Sequence, residues 1–254
     1  MKKLILSVFF FLVSLAISLS VFAEKKILHF ATEALYPPFE FMSAHNEIKG
    51  FDIDLAKALC QKMQIECVFV NQAFDSLIPS LKSRRIDAVI AGLDITPERS
   101  KQVAFTIPYC KNSALFIIQT GKFSGIGDLN GKRVGMQNGS THQKFLIDKH
   151  PEMIPISYST YQNAILDLQN GRLDAVFGDT AAVNQWLIRN PTLGALGNKI
   201  TDSDYFGVGL GIAVKQTDDL LLNKLNEAIK KIKDDGSCDR IYKNCFLRAD
   251  FINE

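Results

Sequence analysis

The chain has 254 residues, of which 47% are hydrophobic, and its 29 basic and 27 acidic side chains give a formal net charge of +2. So small a net charge argues against nucleic acid or an anionic membrane surface as the partner. A chain of this length buries enough apolar surface for one large domain or for two smaller lobes.

The N-terminus has the pattern of a secretory signal. Two lysines precede an uncharged, mostly apolar run over residues 4–21, and the small residue Ala23 stands before the charged Glu24. This pattern predicts a signal peptide, residues 1–23, that is cleaved after Ala23. A membrane anchor is the alternative, because the run is almost long enough to span a bilayer. Cleavage removes the two lysines and no acid, so 29 basic side chains become 27, equal to the 27 acidic ones.

Export permits disulfide bonds, and all five cysteines lie after the predicted cleavage point. Cys60 lies late in a predicted helix and Cys67 opens a predicted strand, so a turn between them could bring the two thiols together. Such a bridge closes a loop of about eight residues and contributes about 2.5 kcal/mol. Cys238 and Cys245 lie in a helix-like segment about 10 Å apart, which disfavours a bridge between them. Cys110 has no obvious partner, and no Cys or His pair has zinc-ligand spacing.

Short apolar strands alternate with amphipathic helices from residue 27 to about residue 214. This alternation predicts an α/β protein with mostly parallel sheet. The predicted strands are residues 27–32, 67–70, 88–91, 133–136 and 175–177. The predicted helices are residues 52–63, 75–83, 97–102, 143–149, 161–170, 180–189 and 220–234.

One segment of the chain repeats another. Residues 74–90 align without gaps with residues 161–177, and each copy is predicted as a helix, a basic turn and a buried strand. Helix-turn-strand units resemble one another in any case, so the alternative is coincidence. We interpret the repeat as two lobes of the same architecture, each with its own sheet. Two such sheets leave a cleft between their strand ends, where open α/β sheets bind ligands.

Two charged side chains after the repeated strands suit the backbone charges of an amino acid. Thr96 is a good N-cap before Pro97, and Arg99 in the helix that follows could grip both oxygens of a carboxylate. Asp179 follows the second repeated strand and could accept an α-ammonium group. The turn 137–141 could add hydroxyls and amides to the carboxylate site. The alternatives are a surface arginine, a plain N-cap aspartate and an ordinary turn.

A second group of residues suits a cationic side chain. The first strand leads into Glu33 and Tyr36 in a loop that prolines hold, and Phe74 precedes the helix of the first repeat. Two aromatic rings that sandwich a flat guanidinium, with an acid at its far end, form a cationic pocket. Plain core packing is the alternative, and for Phe74 it is the preferred one on the sequence alone.

Seven short motifs occur in order along the chain, at residues 36–39, 50–55, 74–81, 94–99, 137–141, 170–174 and 205–207. Together they resemble the periplasmic amino-acid-binding proteins of ABC importers, the family of the histidine and lysine/arginine/ornithine binders. The resemblance is strongest to the arginine-binding branch. It covers residues 27–246 and implies a two-lobed, type II fold with the ligand in the cleft between the lobes. Lobe one is then 24–111 with 209–254, lobe two is 112–208, and the crossovers lie near 110–114 and 202–209.

The resemblance also implies a role for each site residue. Arg99 holds the α-carboxylate with nearby backbone and the Thr141 hydroxyl, and Asp179 holds the α-ammonium. Tyr36 and Phe74 sandwich the side chain, and Glu33 faces its cationic end. The predicted ligand-binding set is Glu33, Tyr36, Phe74, Ala91, Gly92, Asp94, Arg99, Gln137, Ser140, Thr141 and Asp179.

This sequence departs from the family pattern at residues 91–94. The lysine/arginine/ornithine and histidine binders have Ser-Ser-x-Ser there, and this chain has Ala-Gly-Leu-Asp. Contacts from this loop are therefore expected from the backbone alone. Most of those relatives also have aspartate at the position of Glu33, so both departures favour arginine over histidine as the ligand. The spacing of Cys60 and Cys67 matches a disulfide of the family.

The resemblance predicts a monomeric periplasmic protein without cofactor or metal that captures L-arginine, or another cationic amino acid, by lobe closure. It then delivers the ligand to an ABC transporter permease. The alternative is an exported lyase or dehydratase of the same fold, for which Glu33 is the obvious acid or base. A receptor's sensory domain is a third interpretation, disfavoured because no second apolar span follows in the sequence.

Overall fold

The computed structural model describes residues 27–246, so the predicted signal peptide and its cleavage after Ala23 lie outside the described residues. The strands are β1 Ile27–Thr32, β2 Leu35–Tyr36, β3 Glu40–Met42, β4 Ile48–Lys49, β5 Glu66–Asn71, β6 Ala88–Val89, β7 Ala104–Phe105, β8 Ala114–Gln119, β9 Arg133–Gln137, β10 Ile154–Tyr158, β11 Ala175–Asp179, β12 Leu193–Ile200 and β13 Ala213–Val214. The helices are α1 Phe51–Met63, α2 Leu77–Lys82, α3 Pro97–Ser100, α4 Thr141–Lys149, α5 Tyr161–Gln169, α6 Thr180–Arg189, α7 Ser203–Phe206, α8 Asp219–Asp234 and α9 Ser237–Phe246. Short 3-10 helices cover Phe74–Ser76 and Ile126–Leu129. Between residues 27 and 246, none of the helices combines the length and the apolar character that crossing a membrane requires.

Two five-stranded sheets form two lobes, which confirms the predicted two-lobed α/β fold. The first sheet has the order β5-β1-β6-β13-β7 and defines lobe one, and the second has the order β10-β9-β11-β8-β12 and defines lobe two. A small sheet, β2-β3-β4, follows the first strand of lobe one. The exact lobe boundaries at 111/112 and 208/209 stay a prediction.

The prediction of mostly parallel sheets is wrong. In each sheet the first three strands pair in parallel and the last two pairings are antiparallel. The fourth strand of each sheet explains the difference, because β8 and β13 both enter from the other lobe. A strand that enters a lobe from the cleft runs away from the cleft. The strands that are joined by helices within a lobe run toward the cleft, so the entering strand pairs with them in an antiparallel way.

The sequence repeat corresponds to a structural repeat. β6 and β11, the strands of the two copies, both occupy the central position of a five-stranded sheet. The two sheets also share the same sequence of parallel and antiparallel pairings. The interpretation of two lobes with one architecture is therefore supported by topology as well as by sequence.

The predicted disulfide bond is present and fixes the outer edge of lobe one. Cys60 near the end of α1 is bonded to Cys67 in β5, with their Cα atoms 6.1 Å apart. α1 packs on α8 and α9, which cover the same side of the sheet. Cys110, Cys238 and Cys245 are free. Cys238 and Cys245 lie in one continuous helix, α9, and form no disulfide bond with each other, as the sequence predicts.

A buried aspartate positions the loop that follows β6. Asp52, at the start of α1, has no exposed surface, and its Oδ2 accepts hydrogen bonds from the Gly92 backbone N–H at 2.7 Å and the Tyr109 hydroxyl at 2.8 Å. It therefore ties the loop 91–94 to the residue that precedes the first crossover. Burial, more than the opposing hydrogen bonds, raises the pKa of Asp52 to about 7.

Glu40 in β3 is a second buried carboxyl group next to Asp52. Its side chain has no exposed surface, and neither oxygen accepts a hydrogen bond from a donor within residues 27–246. Burial raises the pKa of Glu40 well above its ordinary value, and the negative charge of Asp52 raises it further. Burial therefore favours the neutral form of Glu40, because an unpaired buried charge is costly.

We expect Glu40→Gln to stabilise the protein at pH 8 relative to the unchanged protein. The folded-state pKa of Glu40 lies above its unfolded value, so its contribution is intact at low pH and is lost as pH rises through the folded value. The variant's advantage should grow with pH by up to about 1.4 kcal/mol per unit. Denaturant unfolding at pH 5 and pH 8 measures it, with the exposed Glu227→Gln as control. An advantage independent of pH would contradict this account.

Candidate ligand site between the lobes

The ends of four strands meet at a small cavity between the two sheets. β1 and β6 supply its lobe-one side, and β9 and β11 supply its lobe-two side, as the position of ligand sites in open sheets predicts. The cavity is nearly filled by its own side chains, with a volume of about 10 Å³. It is lined by Tyr36, Phe74, Gly92, Asp94, Arg99, Gln137, Ser140, Thr141, His142, Tyr161 and Asp179.

Nine of the eleven predicted site residues line this cavity, and Glu33 and Ala91 do not. Glu33 lies directly behind the lining, because its Oε2 accepts a hydrogen bond of 3.0 Å from Gln137 Nε2. The Ala91 side chain packs instead into the core of lobe one, in a cluster with Leu77 and Val89. A contact from the Ala91 backbone to the ligand stays a prediction.

Arg99 is a buried cation that the short helix α3 aims into the cavity. Thr96 caps this helix, with its hydroxyl accepting a hydrogen bond of 3.2 Å from the Arg99 N–H. Only 8% of Arg99 is exposed, so the surface-arginine alternative is wrong. Its guanidinium donates to the Asp94 carbonyl at 3.1 Å and to the Gly139 carbonyl of lobe two at 3.3 Å. Burial lowers the pKa of Arg99, but an arginine keeps its charge at neutral pH.

Asp179 stands at the N-cap of α6 but makes no capping hydrogen bond. Its carboxylate instead faces the cavity, where Oδ2 accepts a hydrogen bond of 2.7 Å from the Tyr36 hydroxyl and Oδ1 accepts one from Asn112 Nδ2. Burial alone would raise the pKa of Asp179, but the charge of His142 and these hydrogen bonds lower it below its ordinary value. Asp179 is therefore a buried carboxylate held in its charged form.

Asp94 is a third buried carboxyl group and faces Asp179 across the cleft. Its Oδ2 accepts a hydrogen bond of 2.7 Å from the Thr141 hydroxyl of lobe two, and its Oδ1 accepts one of 2.7 Å from Asn112. Burial and then the charge of Asp179 raise the pKa of Asp94 to about 7, and Arg99 opposes both. Sequence reasoning assigned backbone contacts to this position and missed the side chain's role between the lobes.

Glu33 is the acidic group at the other end of the site. It is 3% exposed, its Oε1 lacks a hydrogen-bond partner among residues 27–246, and burial raises its pKa to about 7. The Gln137 hydrogen bond is the main opposing effect. A cation beside Glu33 would stabilise the carboxylate form, since an opposite charge lowers the pKa of an acid.

The aromatic side chains of the site form two groups. The Tyr36 ring stacks on Phe39 at 5.7 Å and on Tyr161 at 5.0 Å between centroids. Phe74 is half-buried, and the Arg99 guanidinium lies 5.6 Å from its ring centroid. Tyr36 and Phe74 thus line one cavity, and Phe74 also packs against the core of lobe one, as the core-packing alternative predicts. Their action as a sandwich around a ligand stays a prediction.

The sequence prediction missed two lining residues, His142 and Tyr161. His142 directly follows the predicted Thr141, and the sequence showed only that it adjoins the site. The repeat contained a clear signal for Tyr161, because Tyr161 aligns with Phe74 in the two copies. Both aligned aromatic residues line the cavity, one from each lobe.

The described residues contain no group of three or more His, Cys, Asp or Glu side chains arranged to hold a metal ion.

Residues 28–248 match the model of the bacterial extracellular solute-binding proteins, family 3. The chain belongs to this family.

Individual relatives place the similarity within the arginine-binding proteins of this family. A putative ABC transporter arginine-binding protein 2 of Escherichia coli K12 is 60% identical over 231 residues, which are 91% of this chain and 95% of the relative. The ABC transporter arginine-binding protein 1 of the same organism is 57% identical over 246 residues, 97% of this chain and 99% of the relative. The structure of a Salmonella typhimurium periplasmic binding protein described for high arginine specificity has a TM-score of 0.85 at 47% identity. It matches over 87% of this chain and 99% of that one. The predicted resemblance to the arginine-binding branch is confirmed.

We expect Asn112→Ala to weaken the contact between the lobes in the ligand-free protein. The Asn112 amide donates to both Asp94 and Asp179, so its loss leaves two buried acceptors with fewer donors, at a cost of about 1–3 kcal/mol. The radius of gyration from small-angle X-ray scattering should rise relative to the unchanged protein. Asn163→Ala, at an exposed position of α5, is the control. Equal radii for the two variants would contradict the role of Asn112.

Proposed function

We propose that this chain is the periplasmic solute-binding protein of an ABC importer and captures L-arginine, or another cationic amino acid, between its lobes. The observation that carries the proposal is a buried cation and buried acidic groups gathered at one cavity. Arg99 and Asp179 line the cavity as a cation and a charged acid, and Glu33 lies directly behind the lining as a second acidic group. Asp94, the other acid of the lining, already accepts hydrogen bonds from Thr141 and Asn112. Free arginine carries one carboxylate and two cationic groups, which complement Arg99, Asp179 and Glu33.

The distribution of these groups suggests the orientation of the ligand. Arg99 takes the α-carboxylate, because a guanidinium donates two parallel hydrogen bonds to a carboxylate. Asp179 takes the α-ammonium, and the Ser140 and Thr141 hydroxyls at the start of α4 complete the carboxylate site. Glu33 and the Tyr36 and Phe74 rings receive the guanidinium end. The names of the relatives support arginine as the side chain.

Lobe closure follows from ligand contacts that are split between the lobes. Arg99, Tyr36 and Glu33 belong to lobe one, and Thr141 and Asp179 belong to lobe two. A ligand that contacts both sets shifts the equilibrium toward the closed form. We place the hinges near residues 110–114 and 202–209, with lobe one as 24–111 and 209–254 and lobe two as 112–208. The closed monomer then delivers the ligand to the permease subunits at the membrane.

The relatives compared above are named as binding proteins, which supports capture of the amino acid without chemical conversion. The N-terminal signal pattern and the periplasmic relative support export, with cleavage after Ala23. Calorimetry of the mature protein with arginine, lysine, ornithine, histidine and glutamine tests the proposal. Absence of binding to all five would contradict it, and chemical alteration of arginine would indicate an enzyme.

We expect Arg99→Ala to abolish binding of every amino acid, since the α-carboxylate is common to all. Removing one partner of a buried charge pair costs about 2–5 kcal/mol, or about 30-fold to several thousand-fold in affinity. The matched control is Arg172→Ala, at an exposed arginine that pairs with Asp167. Retention of arginine binding within threefold in Arg99→Ala would exclude the assigned orientation.

Glu33→Gln should instead change selectivity. It removes the charge that faces the cationic end, so the preference for arginine over glutamine should fall by about tenfold or more while glutamine binding changes little. Because burial raises the pKa of Glu33 to about 7, the unchanged protein should bind arginine more tightly at pH 8 than at pH 6. Glu47→Gln, at an exposed position, is the control. Equal losses for arginine and glutamine would refute the role of Glu33.

A further inference from the structure

His142 is a buried histidine that the proposed function leaves without a role. It is the second residue of α4, is 2% exposed and lines the cavity. Phe177 and Phe206 surround its ring at centroid distances of 5.3 Å each, and Tyr161 lies at 6.0 Å. An apolar, enclosed position of this kind fixes the orientation of an imidazole.

The two ring nitrogens of His142 have different neighbours. Nδ1 lies 2.9 Å from the Tyr161 hydroxyl, and Nε2 lies 3.3 Å from Asp179 Oδ1. The Nε2 contact is a short electrostatic one without hydrogen-bond geometry, and Nε2 has no hydrogen-bond partner among the described residues. A charged carboxylate accepts hydrogen bonds only, so Asp179 favours the tautomer with the proton on Nε2. Nδ1 then accepts the hydrogen bond of the Tyr161 hydroxyl.

We propose that His142, held by Tyr161, is a positioning residue that orients Asp179 and sets how strongly Asp179 holds an α-ammonium group as pH changes. This inference rests on the proposed function, which assigns the α-ammonium to Asp179. A neutral imidazole orients the carboxylate and leaves its charge to the ligand. A protonated imidazole supplies a second cation at the same oxygen and competes with the ligand.

The other charged groups near His142 decide the sign of this effect. Asp179 in β11 and Asp94 in lobe one face the ring, and the charges of His142 and Asp94 interact directly. Arg99 donates a hydrogen bond to the Asp94 carbonyl, and Tyr161 in α5 is a further titratable neighbour of His142. The two rings from β11 and α7 are apolar. Protonation of His142 thus compensates carboxylate charge that the ligand's ammonium otherwise compensates, so it weakens binding.

Glu33 and Asp94 both change charge near neutral pH, because burial raises the pKa of each to about 7. The test therefore uses Glu33→Gln as the background, which removes the contribution of Glu33, and compares two proteins that both keep Asp94. Calorimetry measures the arginine dissociation constant of Glu33→Gln and of the double variant Glu33→Gln/His142→Gln at pH 5.5, 6.5 and 7.5. Glutamine retains an amide N–H near Asp179 and does not titrate.

We expect arginine affinity to fall from pH 7.5 to 5.5 by at least about threefold more in the Glu33→Gln protein than in the double variant, since any contribution of Asp94 is common to both. Identical pH profiles in the two proteins would overturn the proposal. Tyr161→Phe in the unchanged protein provides an independent measurement, because it removes the Nδ1 partner and keeps the ring. It should weaken arginine binding by about threefold to tenfold at pH 7.5. No change in Tyr161→Phe would also count against the proposal.

Failure of the proposed function gives a different result from failure of this inference. If the unchanged protein does not bind arginine at any pH, the assignment of arginine is wrong. The same pH comparison then uses whichever amino acid binds, since every amino acid carries the α-ammonium group. If arginine binds but substitution of His142 leaves the pH profile unchanged, only the role of His142 is wrong.

Discussion

The closed arrangement of this protein depends on how two buried carboxyl groups from different lobes, Asp94 and Asp179, are neutralised. Each raises the free energy of the other's charged form, because like charges at low dielectric repel. The Asn112 amide donates to both, Thr141 donates to Asp94, and the charged Arg99 guanidinium donates to the Asp94 carbonyl. Asn112 and Tyr36, which donate to Asp179, are neutral, so a cationic ligand group would add a positive charge beside Asp179. The charges of Asp94 and Asp179 therefore affect both ligand binding and the contact between the lobes.

The same constraint explains why so many acids lie buried near the cleft. Glu33, Glu40, Asp52 and Asp94 all have raised pKa values, with burial as the largest cause in each. Asp179 alone in this group has a lowered pKa, because hydrogen bonds and the charge of His142 outweigh its burial. The site thus keeps one acid charged and others close to neutral until a cation arrives. A ligand with two cationic groups can use both kinds of acid.

Much of the fold follows from local sequence, and the parts that do not have physical reasons. The sequence predicted β1 with its observed bounds and α6 likewise, because apolar runs and helix signals coincide there. It missed β10, whose Pro155 is tolerated only because β10 is an edge strand. It missed β13, which is two residues long and pairs with strands more than a hundred residues away. The antiparallel pairings of the fourth strands depend on the path between the lobes, which no local pattern encodes.

The site could be predicted to a similar extent. Polar residues after strand ends identified Arg99 and Asp179, since strand ends of a sheet converge at one edge. The link that Asn112 forms between the two acids depends on the path of the chain between the lobes, so no local sequence pattern indicates it. The role of His142 depends on which residues face it from β11 and α5, and these contacts become visible only in three dimensions.

A crystal structure of the mature protein with L-arginine tests the central claim most directly. The account predicts the ligand carboxylate on Arg99, its α-ammonium on Asp179 and its guanidinium beside Glu33, between the Tyr36 and Phe74 rings. A ligand bound in the reverse orientation, or bound outside the cavity between the two sheets, would contradict it.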